Sequence, residues 1–157
     1  MHFETDIFSK FDKEWALLAA GTKEDHNAMT VSWGGLGTLW GKPVATVYVR
    51  HSRHTFVYME KNDYFTVSFY PSQYKKALGV MGSKSGRDCD KDSEARLSAV
   101  KAGESVTYKE AEVTLLCKKL YFSDIETKEL PADIAETFYP DGDIHRLYIG
   151  EVVDIIR

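Results

Sequence analysis

Apolar positions in this chain fall into short runs of alternating or β-branched character, broken by polar turns. The run WALLAAGT, residues 15–22, predicts a strand; KEDHN supplies turn chemistry, and AMTVSW predicts the returning strand. In that second strand the alternation places Met29, Val31 and Trp33 on one face and Thr30 and Ser32 on the other. GGLGTLWGKP, with glycines at 34, 35 and 37, reads as a loop, and Pro43 bars the start of the next segment from a central ladder position. VATVYV (44–49) and YFTVSFY (64–70) are predicted strands.

Helical signals are few. HTFVYMEKN carries Phe56 and Met59 three apart and Asn62 as a stop, which predicts a short helix. Pro71 opens a second helix whose single face holds Tyr74, Ala77, Leu78 and Met81. The charged stretch 84–96 is predicted as loop with some helical turn, and PADIAETF as a short helix opened by Pro131. AEVTLLCKKLYF (111–122) and HRLYIGEVVDII (145–156) are long strands, the second with Gly150 as a candidate bulge. Regular crossover helices do not separate the strands, so a doubly wound parallel sheet is disfavoured. The expected fold class is mainly β with short helices: an antiparallel barrel, residues 1–157 forming a single domain.

A chain of 157 residues buries a core without a metal or disulfide staple. The formal net charge of −4 argues against a general nucleic-acid binder. The two cysteines, Cys89 and Cys117, form no CxxC pattern. No segment has the length and apolarity of a membrane span, and the first residues lack an apolar signal core. The cytoplasm is the expected compartment, with no membrane and no nucleic acid as partner.

Any anion site must therefore be local, and two segments concentrate donors. RHSRHT (50–55) follows a strand: Ser52 can cap the next helix, whose N-terminal amides favour a phosphate, and Arg50 and Arg53 add planar donors, with Thr55 in the first turn. The same residues also fit a capped surface helix with solvated arginines. His51 and His54 lack the partners of a metal site and read as polar surface residues. GSKSGRD (82–88) offers Ser83, Lys84, Ser85 and Arg87 between glycines that allow close approach, and fits equally a polar loop in water. It is not a P-loop, and no GxGxxG dinucleotide fingerprint occurs.

Taken together, NAMTVSWGG, KPVATVYVRHSRHT, GSKSGRDCDK and the closing HRLYIGEV resemble the flavin reductase-like family, which includes flavoredoxins, from near Trp15 to near Val153. The resemblance implies an FMN-binding split β-barrel, usually a homodimer with flavin sites near the subunit interface. It implies that Met29, Thr30, Val31, Ser32 and Trp33 face the isoalloxazine ring. Arg50, Ser52, Arg53 and Thr55 would hold the phosphate and ribityl end, and Lys84, Ser85, Gly86 and Arg87 would close over the cofactor, anchored by Asp90 and Lys91. His145 is a candidate substrate contact, with a hydrogen-bonded structural role as its plainer reading. The acidic stretch 124–143 carries no motif and is a candidate for shaping substrate access.

The expected activity is that of an NAD(P)H:flavin oxidoreductase, with FMN as cofactor and a nicotinamide nucleotide as donor. Hydride delivery requires no acid–base side chain, so no catalytic residue is assigned and no metal is expected. Two alternatives stay open: a flavoredoxin-like FMN electron carrier serving a redox protein partner, and a non-redox phosphate- or nucleotide-binding barrel.

Overall fold

A computed structural model describes residues 1–157. A helical turn α1 (Ile7–Ser9) runs on as a π-helical segment, Lys10–Glu14, into β1 (Ala16–Gly21), β2 (His26–Val31), β3 (Gly34–Leu39) and β4 (Lys42–Arg50). Next come α2 (His54–Lys61), β5 (Tyr64–Phe69), α3 (Lys75–Ser83) and α4 (Lys91–Ala95). A small hairpin, β6 (Ala99–Ala102) and β7 (Ser105–Tyr108), precedes β8 (Val113–Asp124), α5 (Ala132–Phe138) and β9 (His145–Ile156). No helix is long and apolar enough to cross a membrane.

Seven strands form one antiparallel sheet in the order β2-β1-β5-β8-β9-β4-β3. Its two edge strands, β2 and β3, are consecutive in the chain and joined only by Ser32 and Trp33. Laid flat, the sheet would set its edges about 29 Å apart at ~4.8 Å per strand. A two-residue link spans at most about 11 Å, so the sheet must curl into a barrel-like wall that brings β2 back towards β3.

The curled wall encloses the main core, which includes Leu18, Met29, Val31, Val47, Phe65, Val67, Phe69, Leu115, Cys117 and Tyr148, plugged by Phe11 and Met59. A second core lies outside, where Leu17, Ala19 and Ala28 meet Leu78 and Met81 of α3 and Val106 and Tyr108 of β7. β1 is thus buried on both faces, which is why WALLAAGT is apolar throughout rather than alternating.

Four sequence expectations change. GGLGTL is the strand β3, paired to β4 through a tight turn at Trp40 (φ 53°) and Gly41 (φ 70°), so its glycines lie in a ladder and not in a loop. Ser52 does not cap α2: Arg53 is the capping position, no side chain bonds the helix end, and the Ser52 hydroxyl donates to Asp143 at 2.6 Å. Trp33 leaves the alternation of Met29 and Val31, lying past the end of β2 and 46 % exposed. The irregularity expected at Gly150 falls opposite it, between Lys119 and Tyr121 of β8. Gly150 itself is required by packing, since a Cβ there would stand 2.6 Å from the Phe65 ring and 3.0 Å from Cys117.

Candidate functional site

Where β2, the start of α2 and the loop after α3 meet, they enclose a polar cavity of about 230 Å³. RHSRHT contributes Ser52, Arg53, His54 and Thr55; the second donor cluster contributes Ser83, Lys84, Ser85, Gly86 and Arg87; Asn27 and Lys91 complete the wall. No lining residue is apolar and none is acidic.

The charge in this cavity is uncompensated. Arg53 donates through both Nη atoms to the Gly82 carbonyl at 3.2 Å, Arg87 to the Ser52 carbonyl at 3.0 Å, and Lys91 to the Met81 carbonyl at 2.9 Å. Of the four cations only Lys84 meets a carboxylate, Glu94, at 2.7 Å. Burial lowers the pKa of Arg53, and burial together with Arg53 holds Lys91 down to about 8. His54 is also lowered, first by burial and then by Arg87 and Lys91, and its Nδ1 is buried without a partner. Positive groups gathered around one hollow, with Lys91 and His54 lowered in part by their cationic neighbours, form a site for an anion. The volume lies below the ~300 Å³ at which pockets for whole drug-sized ligands begin, so the cavity fits one end of a larger molecule.

Gly86 shows how closely the loop is pressed to the sheet. A Cβ there would lie 2.1 Å from Asn27 Oδ1 and 3.1 Å from the His54 ring, so only glycine fits. Asn27, buried, donates to the Thr55 hydroxyl at 2.6 Å and so ties β2 to the first turn of α2. Asp90 caps α4, accepting from the Ser93 amide and hydroxyl, as an anchor of this loop should.

Other candidate residues lie elsewhere. Arg50 does not line the cavity; its guanidinium donates to the Phe138 and Asp143 carbonyls and lies over the Tyr139 ring at 5.2 Å. His51 bonds Asp124 at 2.8 Å and stacks on Phe56. Met29 and Val31 point into the main core, and the Thr30 hydroxyl donates to the Leu78 carbonyl. In this stretch only main chain and the Ser32 and Trp33 side chains are therefore free to meet a ligand. Ser32 and Trp33 line a second, larger hollow of about 800 Å³ together with Phe8, Phe11, Leu36 and Tyr48.

His145 is buried, hydrogen-bonded to the Tyr139 hydroxyl at 2.7 Å and packed edge-on against Trp33. Burial and then Arg50 push its pKa down to about 4, so it is neutral at ordinary pH. Within the acidic stretch, Phe138 packs on Trp33 and Asp143 holds Ser52, so this segment covers the sheet beside both hollows. Sequence reasoning did not place Asn27 and His54 in the cavity, and it read Lys91 only as a loop anchor. The available signal was membership: Asn27 lies in NAMTVSWGG, His54 in RHSRHT and Lys91 in GSKSGRDCDK.

The family described as flavin reductase like domain matches residues 8–157. No curated protein matches the chain significantly in sequence. Among solved structures, flavoredoxin from Methanosarcina acetivorans superimposes with a TM-score of 0.70 at 21 % identity, over 91 % of this chain and 67 % of that one. An FMN-binding protein from Thermus thermophilus gives 0.72 at 20 % identity, over 100 % and 77 %. Nitrilotriacetate monooxygenase component B from Bacillus cereus gives 0.71 at 18 %, over 90 % and 67 %. At these identities the likeness is one of fold.

Proposed function

Since this chain belongs to the flavin reductase-like family, we propose that it is an FMN-dependent oxidoreductase that takes a hydride from NADH or NADPH and passes the electrons to a second acceptor. One observation carries the cofactor reading: buried Lys91, half-buried Arg53 and exposed Arg87 have no carboxylate partner and surround a cavity lined by no apolar residue. A terminal phosphate meets that requirement, and the glycine-only approach of residue 86 leaves room for it.

In this reading Arg53, Lys84, Arg87 and Lys91 neutralise the phosphate, with Ser85 and Thr55 as neutral partners. Bound FMN supplies the redox chemistry, accepting two electrons as hydride and giving them up again. The main chain of residues 29–32 with Ser32 and Trp33 positions the ring. Phe8, Phe11 and Leu36 give the open hollow beside it an apolar lining, which is where a nicotinamide or other flat substrate has space. No side chain is assigned a proton-transfer role, and His145, neutral and held by Tyr139, packs beneath Trp33 instead of meeting the substrate.

The protein is proposed to act as a homodimer in the cytoplasm. Exposed Tyr121 and Phe122 on β8 support an apolar subunit contact, and Cys89 and Cys117 remain free thiols. The test is anaerobic mixing of the FMN-loaded protein with NADH and with NADPH. Rapid bleaching of the flavin band by either supports a reductase. A loaded protein that neither nicotinamide bleaches, but a reduced partner protein does, assigns the electron-carrier role. Folded protein that takes up no flavin overturns the whole reading.

A further inference from the structure

His26 opens β2, one residue before Asn27 of the cavity wall. Its Nδ1 lies 2.9 Å from the Thr22 carbonyl and 3.1 Å from the Lys23 carbonyl, and its Nε2 lies 2.6 Å from the Asp92 carboxylate. The other Asp92 oxygen accepts from the Tyr108 hydroxyl at 2.7 Å. Every partner of the imidazole is thus an acceptor, and a neutral ring has only one N–H to offer two of them. The geometry requires one proton more than a neutral imidazole beside a carboxylate can supply.

That proton joins two parts of the anion cavity. On one side is β2 with Asn27. On the other is α4, whose first residue, Lys91, is a cavity cation, and whose Glu94 holds Lys84 of the loop at 2.7 Å. A helix of five residues has no stability of its own. The Asp90 cap bonds only Ser93 of α4 itself, so it does not dock the helix. Docking rests on Asp92, through His26 and Tyr108, on the Lys91 contact with Met81, and on Ala95, buried in the second core.

We propose that His26 is a positioning residue: its protonated ring latches α4 and the loop 84–90 against β2, and losing that proton loosens the loop and weakens the hold on a phosphorylated ligand. The identity of that ligand as FMN rests on the function proposed above; the latch does not. Asp92 raises the pKa of His26 above its ordinary value, first through their hydrogen bond, against the lowering effect of burial. The sign follows: the latch is complete below the ordinary histidine range and is lost as pH rises through the raised value. Other charged and titratable groups face the same place. Lys91 comes from α4, Cys89 and the cap Asp90 from the loop before it, Tyr108 from β7, and Lys23, Glu24 and Asp25 from the turn before β2. Lys91, held down to about 8, also loses its proton within the span followed below, and the comparison with His26→Gln separates the two.

The test begins without flavin. Hydrogen exchange of the amides of residues 84–95, normalised to intrinsic rates, is followed from about pH 5.5 to about pH 9, a range spanning histidine titration. In the unaltered protein, protection in this segment is expected to fall roughly tenfold relative to the barrel strands as pH rises, the scale of one charge-assisted hydrogen bond. In His26→Gln and in Asp92→Asn the protection should be low and independent of pH. The ratio of the FMN Kd of His26→Gln to that of the unaltered protein should then be about ten near pH 6 and approach one near pH 8.5. Protection in the unaltered protein that does not change with pH overturns the latch, even if both variants fail to fold. A Kd ratio that is constant with pH reduces His26 to a structural residue and also overturns it. Exchange that switches as described in protein that binds no FMN supports the latch and instead refutes the cofactor reading.

Discussion

Replacing Arg53 by alanine separates the cavity from the rest of the donor-rich segment, and Arg50→Ala is its control. Arg53 uses two of its five N–H groups on the Gly82 carbonyl, so three remain for a ligand. A full charge about 4 Å from a phosphate charge is worth at most ~4 kcal/mol at an effective dielectric of ~20. Charge-assisted hydrogen bonds retain a net ~1.5–3 kcal/mol. Arg53 is already partly desolvated before any ligand arrives, as its lowered pKa records, so little further cost is due on binding. About 2 kcal/mol is therefore expected, a rise in FMN Kd of roughly 30-fold. Arg50 holds the Phe138 and Asp143 carbonyls instead. Arg50→Ala should leave the Kd within about threefold and lower stability by ~1–2 kcal/mol, because two carbonyls lose their donor. Calorimetric FMN titration and urea denaturation of both variants measure these quantities. Equal effects of the two substitutions on Kd, or an Arg53→Ala protein that binds FMN as before, would refute the assignment of the cavity.

Gly86→Ala forces a methyl group onto Asn27 Oδ1, so the loop must lift; the FMN Kd should rise at least about tenfold with the melting temperature little changed. Lys91 carries its charge only below about pH 8 in the flavin-free protein, and a bound phosphate raises that value. FMN affinity should accordingly fall as pH rises through about 8, and Lys91→Met should remove this part of the dependence in calorimetry across pH. Gly150→Ala drives a methyl group into Phe65 and Cys117 and should cost ~1–3 kcal/mol in urea denaturation without changing FMN affinity.

Much of the barrel could be read from the chain because its strands are short, β-rich and punctuated by turn residues. β1 is an apolar run and β5 alternates apolar residues with Thr66 and Ser68, and the structure buries both almost entirely. β3 was hidden because it lies at a sheet edge and carries glycines and exposed positions in place of an apolar face. The β6–β7 hairpin was hidden because its local sequence mixes charges with small residues; its burial comes from Thr66, Leu17 and α3, far away in the chain. The two donor clusters were legible as clusters, and the structure unites most of both around one cavity. Which donors face inward was not legible. Arg50 and Arg53 sit three residues apart in one motif, yet the segment 138–143 captures one and Gly82 the other. Ser52 was read as a cap from local chemistry, but a carboxylate 91 positions away bonds it more directly. Lys91 enters the cavity because α4 docks on β2 through His26 and on the second core, contacts with no local signature.

The central claim is that this cavity recognises a phosphate at the end of a flavin. Parallel calorimetric titrations of flavin-free protein with FMN and with riboflavin, which differ only in that group, test it most directly. FMN should bind at least about a hundredfold more tightly, as expected when several charged donors meet one phosphate. Equal affinity for the two flavins, or no uptake of FMN by correctly folded protein, would contradict it.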